Sequence, residues 1–309
     1  KRVSIVLRIV VLLGLMVFAL GLFYQNFNYP HLRFVPITER LLAPFDLRIR
    51  YRIGELDPRF GLNHAEVQQL ALEATQIWQQ ADKNIFVYDP DARLVIDFIY
   101  DQRQIHTQTR LQQHAYIEQQ QQLWQQRHQQ LQTMRQQLSQ LEQQLKQKQD
   151  VLNQATTYYN QQVQAINQQG GASPEQRHVL EQQRLYLSQQ RQLFNQDIAI
   201  HSSKIETLNQ EVKRLNTLNQ QLSQQISAFN RQFVGKQFDK GIFNGKQIII
   251  YEFSSIEDLR LTLAHEFGHA LGLGHHDDPY GLMYPILQKQ SLDAFQLSAA
   301  DFALLESKF

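Results

Sequence analysis

Between His265 and His275 the chain carries residues whose types and spacing suit a metal that activates water. His265 and His269 stand four residues apart, which on a helix puts both imidazoles on one face. Imidazole is a preferred neutral ligand of Zn2+. Glu266 follows the first histidine directly, too close to share the ion easily and well placed to reach a water bound to it. Gly272 can adopt the left-handed conformation that ends a helix and turns the chain. That turn brings His275 back as a third ligand. Three protein ligands leave one position open, the arrangement of a catalytic rather than a structural ion. The plain alternative, a helix with unrelated histidines, leaves Glu266 and Gly272 at these spacings without a reason.

Met283 follows His275 by eight residues, within Gly281-Leu282-Met283-Tyr284-Pro285. A His-Glu-x-x-His-x-x-Gly-x-x-His run followed by such a methionine resembles the metzincins, and Met-Tyr-Pro at this distance is most similar to the matrixin family. Leu47 to Ile53 with the loop Asp57-Pro58-Arg59-Phe60 resembles the start of a matrixin catalytic domain, and Leu297 to Leu305 its closing helix. The resemblance implies a zinc endopeptidase with one catalytic Zn2+. His265, His269 and His275 would be the zinc ligands and Glu266 the general base and then acid. Met283 would form an apolar floor under the metal, and Tyr284 and Pro285 would shape the pocket for the side chain after the scissile bond.

The chain departs from that pattern in three places. His276 stands where matrixins usually carry Ser, and Asp277 and Asp278 follow it. Adjacent residues point apart, so His276 reads as a neighbour rather than a fourth ligand, and Asp277 or Asp278 as a carboxylate orienting a ligand imidazole. The chain has no Cys. That excludes disulfides, thiolate ligands, a cysteine nucleophile and the family's cysteine-switch latency. A long insertion also occupies the region of the family's structural metal loops and cleft-rimming strand. No structural zinc is therefore expected, and Gln247 to Phe253 is the candidate cleft edge.

Ordinary globular elements must position these residues. Leu47, Ile49, Tyr51 and Ile53 alternate with arginines, as in a half-buried strand. Asn63 can cap a helix from His64 to about Ala81, and Leu94 to Ile99 reads as a second strand. Gln247 to Phe253 is a third. Ser254 with Glu257 forms a capping box opening a helix to Leu271. Leu297-Ser298-Ala299-Ala300-Asp301 opens the last helix.

Residues 102 to 232 hold about 40 Gln. Apolar residues such as Trp124, Leu131, Leu138, Leu145, Leu187, Phe194, Leu208, Leu215 and Leu222 recur at heptad spacing, which argues against a disordered tract. Gly170-Gly171-Ala172-Ser173-Pro174 breaks the pattern into halves, so an antiparallel helical hairpin is expected, each arm roughly 75 Å long. At the N-terminus, Lys1, Arg2 and Arg8 precede the uncharged run Ile9 to Tyr24. With Arg8 snorkelling, the run spans a bilayer. A cleaved signal with Ala19-Leu20-Gly21 as its site is the alternative, giving a secreted protein. Either reading puts the rest of the chain outside the cytoplasm.

The expected fold class is α+β: a metzincin-like zinc protease domain interrupted by a coiled-coil hairpin and preceded by a transmembrane helix. Its parts are a transmembrane or signal segment at 1–24, a linker at 25–46, domain halves at 47–101 and 234–309, and the hairpin at 102–233. The partners expected are a protein or peptide substrate, the membrane, and a protein docked on the coiled coil. A net charge of +1 gives no reason to expect nucleic acid. The rival functions are a coiled-coil scaffold with a vestigial protease domain, and a zinc hydrolase acting on something other than protein.

Overall fold

The computed structural model describes residues 2–28, 32, 37–42, 46, 48–79, 85–235, 238–287, 289–292 and 295–307. Pro30, Pro36 and Pro44 of the expected linker lie outside the described residues, as do Leu47 and Ala81. The fold is mixed α and β, with a long helical region and an apolar N-terminal helix. Two compact units are present: residues 1–112 with 235–309, and residues 113–234.

The first unit opens with α1 (Arg2–Asn28) and the short α2 (Ile37–Leu42). From Leu7 to Asn28, α1 is long and apolar enough to cross a membrane, and none of that stretch is buried. The globular part follows as β1 (Ile49–Leu56), α3 (His64–Gln79), β2 (Phe86–Tyr88) and β3 (Leu94–Phe98). After the helical region come β4 (Gly241–Phe243), β5 (Gln247–Ile250), α6 (Ile256–Ala270) and α7 (Ala299–Glu306).

The described strands form one sheet in the order β2-β1-β3-β5-β4, all parallel except β4. In β1 the alternation works as read: Ile49, Tyr51 and Ile53 are buried. Arg50 and Arg52 turn out to Asp89 (2.8 Å) and the Ala92 carbonyl (3.1 Å). Asn63 and Glu66 cap α3 reciprocally, each side chain accepting from the other's backbone N–H (3.0 and 2.8 Å). Two three-residue strands, β2 and β4, escaped the sequence reading because neither is long enough to show a period. The second matters for the cleft. β5 is interior, paired with β3 on one side and β4 on the other, so Gln247 to Phe253 is not the sheet edge as expected; β4 is.

Helices α3 and α6 pack on each other and on the sheet in one core. Phe267 of α6 meets the Tyr51 and Phe86 rings at 5.0 and 4.8 Å between centroids. Trp78 of α3 is fully buried and donates its indole N–H to the Ala264 carbonyl at 2.8 Å. That bond relieves the cost of burying the one polar atom of a large apolar side chain.

Between β3 and β4 run α4 (Gln102–Gln168) and α5 (Pro174–Phe233). The first turns of α4 belong to the globular unit. The Gln104 amide donates to the Phe253 carbonyl (3.2 Å) and accepts the Phe253 N–H (2.9 Å). Thr107 donates to the buried Glu252 carboxylate, and the Arg103 guanidinium lies 3.2 Å from the Tyr251 ring centroid.

The rest of the two helices makes the second unit. Gly170 and Gly171 turn the chain with φ of +95° and +115°. Ser173 and Gln176 form a capping box, and Pro174 fills the first helical position. Leu131, Leu138 and Leu145 are buried at seven-residue steps in α4, as are Leu215 and Leu222 in α5. Contacts pair the helices in reverse order along the chain: the His114 ring with Phe229, and Lys148 with Asp197.

Candidate metal centre

Helix α6 carries the first histidine pair. Its N-cap is Ser255, whose hydroxyl accepts from Asp258 N–H (3.2 Å), one residue later than the expected cap at Ser254. Ser254 instead bonds the Asp258 carboxylate through its N–H and its hydroxyl, each at 2.8 Å. Two consecutive serines, each with an acid three residues on, fit the same pattern, and the sequence does not separate them. The helix ends in paired reverse bonds, Gly272 N–H to the His269 carbonyl (2.9 Å) and Leu273 N–H to the Gly268 carbonyl (3.1 Å). This Schellman closure needs a left-handed residue, and Gly272 supplies it with φ of +85°.

The turn brings three imidazoles together. One nitrogen from each of His265, His269 and His275 lies within 4.8 Å of the others. Nε2 of His265 is 3.1 Å from that of His269 and 3.3 Å from that of His275. Tetrahedral zinc with Zn–N bonds near 2.05 Å separates its ligand nitrogens by roughly 3.3 Å. The donor set therefore fits that ion. Nδ1–H of His265 donates to the Leu282 carbonyl (2.6 Å) and Nδ1–H of His269 to the Leu273 carbonyl (2.9 Å). These bonds fix the tautomers and leave each Nε2 lone pair facing its neighbours.

Burial pushes the His265 pKa down to about 4 and lowers that of His269 as well, so both are neutral at physiological pH. The exposure gradient leaves one side open: His265 is buried, His269 half-buried and His275 exposed.

Glu266 is buried beside them. Burial raises its pKa to about 7, against an opposing hydrogen bond from the backbone N–H of Phe243. Its Oε2 is buried with no hydrogen-bond partner among the described residues. Strand β4 passes directly over it: a Cβ on Gly241 would lie 3.1 Å from Glu266 Cγ.

Met283 is fully buried. A Cβ on Gly268 would fall 2.4 Å from its Sδ and 2.6 Å from a ring carbon of Trp78. The methionine turn hangs from Asp301, whose carboxylate accepts from the backbone N–H of Leu282 (2.8 Å) and Met283 (2.9 Å). It also accepts from Ser298 N–H (2.9 Å) and from Nε2–H of His276 (2.8 Å). Burial works against the Asp301 charge, but these bonds outweigh it and hold the pKa below the usual carboxylate range. His276 is thus turned toward α7 and is not in the histidine cluster. Neither Asp277 nor Asp278 orients a ligand imidazole as expected; the backbone carbonyls of Leu273 and Leu282 do. Asp278 binds within its own loop, accepting from Tyr280 N–H (3.0 Å). Tyr284, half-buried, and Pro285, exposed, follow Met283 in the turn.

Asp301, Gly268, Trp78 and Phe243 were not singled out from the sequence. Asp301 left a signal there as the acid of the α7 capping box, and Trp78 as part of the apolar face of the helix from His64.

A mixed sheet with a His-Glu-x-x-His helix, a third histidine after a glycine turn and a buried methionine eight residues on defines a metalloprotease-type domain. The matrixin family model matches residues 45–309, and the chain belongs to that family. Similar proteins include macrophage metalloelastase of Oryctolagus cuniculus, 42% identical over 52 residues, which are 17% of this chain and 11% of that protein. Matrix metalloproteinase-18 of Xenopus laevis is 43% identical over 53 residues, again 17% and 11% of the two chains. The matched segment is thus about a tenth of the length of either relative.

Proposed function

We propose that this chain is a zinc-dependent metalloendopeptidase, anchored in a membrane by α1 with its remaining residues outside the cytoplasm. One observation carries the catalytic reading: three Nε2 atoms at zinc-ligand spacing beside a buried carboxylate with an unpartnered oxygen. The anchor reading is supported by the length and apolarity of Leu7–Asn28 and by the basic residues Lys1, Arg2 and Arg8 ahead of the run.

In this reading His265, His269 and His275 hold the ion. Zinc, when bound, supplies a Lewis acid that polarises the scissile carbonyl and brings the pKa of a water at its open position to about 7. Glu266 would take a proton from the attacking water and return it to the leaving amine. A carboxyl with a pKa near 7 serves both as base and as acid at neutral pH. Met283 supports the cluster from below, and Tyr284 and Pro285 border the pocket for the side chain after the scissile bond. The edge strand β4 offers its backbone to an extended peptide, which would bind as an added strand. Gly241 turns its backbone outward, since Lys240 bonds across to β5, whereas the Phe243 N–H is already given to Glu266.

We read α4 and α5 as an antiparallel coiled-coil hairpin inserted in the catalytic domain, and 47–101 with 234–309 as the two parts of that domain. A zinc assay by elemental analysis, followed by digestion of a mixed peptide library with wild type and Glu266→Ala, tests the proposal. One zinc per chain and cleavage by the wild type alone are expected. No zinc, or equal cleavage by both, would overturn it.

A further inference from the structure

The half of the hairpin nearest its turn carries a second apolar row that the first unit's chemistry does not use. On α5, Val179, Tyr186, Leu193 and Ile200 follow one another at steps of seven, and on α4 Val151 and Tyr158 do the same. Steps of seven keep a side chain on one face of a helix. All six are between 47% and 66% exposed, so the row is not the inner seam, whose residues Leu152, Leu187 and Phe194 are half-buried.

Val151, Tyr186 and Leu193 each directly precede a seam residue (Leu152, Leu187 and Phe194), and in helices that run antiparallel this shared offset falls on the same side of the pair. The Lys148–Asp197 ion pair (2.5 Å) fixes the register. Leu193 and Ile200 stand four residues before and three after Asp197, and Val151 stands three after Lys148. This register puts Val151 level with Leu193 and Tyr158 level with Tyr186.

We infer that this face is covered by the same face of a second copy of the chain, giving an assembly of four helices from two hairpins. Three observations choose that occupant. The six side chains expose on the order of 600 Å², which with the stems of the intervening glutamines approaches the roughly 800 Å² that each partner of a standard interface contributes. Charge is nearly absent: Asp197 within the row is neutralised by Lys148 of the same chain, and Gln154, Gln183 and Gln190 occupy neighbouring positions. A face with so little net charge sets little like-charge repulsion against a two-fold axis, and it asks for no complementary acidic or basic partner. A membrane surface would favour a cluster of Lys and Arg, whereas here Lys148 is tied to Asp197 and Lys204, four after Ile200, stands at the end of the row. The inference rests on the hairpin reading and not on the zinc site.

The test is the mass of the full chain in detergent micelles, by light scattering corrected for detergent, with and without chelator. Twice the 36.4 kDa chain mass is expected in both conditions. Tyr186→Glu with Leu193→Glu should halve that mass, while helicity by circular dichroism stays unchanged. Val151→Glu with Ile200→Glu should do the same from the other end of the row, and Tyr186→Phe should remain dimeric. A wild type of single mass at about 10 µM overturns the inference. So does a dimer that persists in both glutamate pairs, which would place the contact elsewhere, for instance in α1. A wild type that is single until it joins a different protein on this face overturns it as well.

Discussion

Gly268 decides how closely the floor of the histidine cluster approaches the helix. With no side chain there, Met283 Sδ and the Trp78 ring both press on the α6 backbone, just before His269. Gly268→Ala places a methyl inside both contacts. Overpacking of this kind costs about 1–3 kcal/mol, so the variant should melt several degrees lower in calorimetry and also bind zinc more weakly, because the floor beneath His265 shifts.

Asp301 gives the fold a pH dependence of its own. Its folded pKa is depressed, so its contribution to stability is fully present above the unfolded value and is lost as pH falls through the folded one. Asp301→Asn should therefore be destabilised by about 2 kcal/mol at pH 7, the scale of hydrogen bonds to a charged group. That gap in urea denaturation should narrow below pH 4. A gap that stays constant down to pH 2.5 would refute the linkage. The sequence exposed the histidines because helical spacing and a glycine turn are periodic, local facts. It hid what holds the imidazoles, because Leu273 and Leu282 act through backbone carbonyls that carry no residue signature.

At the scale of elements, length decided what was legible. Helix α3 and strand β3 are long enough to print a period, and the seven-residue rhythm of α4 and α5 is longer still. Strands β2 and β4 are three residues each and print none, although β4 sits over Glu266 and forms an edge of the sheet. The base of α4 has a separate lesson. Gln104 and Thr107 look like more of the glutamine-rich tract, yet they satisfy buried backbone and carboxylate groups of the segment after β5. Replacing residues 113–232 by a short flexible bridge should leave a folded, zinc-binding domain. Replacing 103–232 should not, because the Phe253 backbone and Glu252 lose their partners, and burying unpaired polar groups costs about 1–3 kcal/mol each. Expression, zinc content and the thermal transition of the two deletions check this directly.

For the whole molecule, the histidine cluster belongs to one compact unit and the helical pair to the other. Ligand binding stabilises only the unit that contains the site. Scanning calorimetry should therefore resolve two transitions, with chelator lowering the first unit's by several degrees and leaving the helical one in place. A single transition that shifts as a whole would show that the two units melt together.

The placement of α4 and α5 also bears on how the chain is made. β3 and β5 are neighbours in the sheet, pairing Asp97 with Ile249, yet the whole helical region is synthesised between them. At a translation rate of roughly 5–20 residues per second, the β3 edge waits on the order of ten seconds for its partner. During that interval the nascent half-domain presents an open strand to its surroundings, a known aggregation hazard. The helices form in microseconds once emitted. By folding back through contacts such as His114 with Phe229, they shorten the effective loop that β5 must close. The helices that separate β3 from β5 in sequence would thus also act as the clasp that brings the two strands together as the chain emerges.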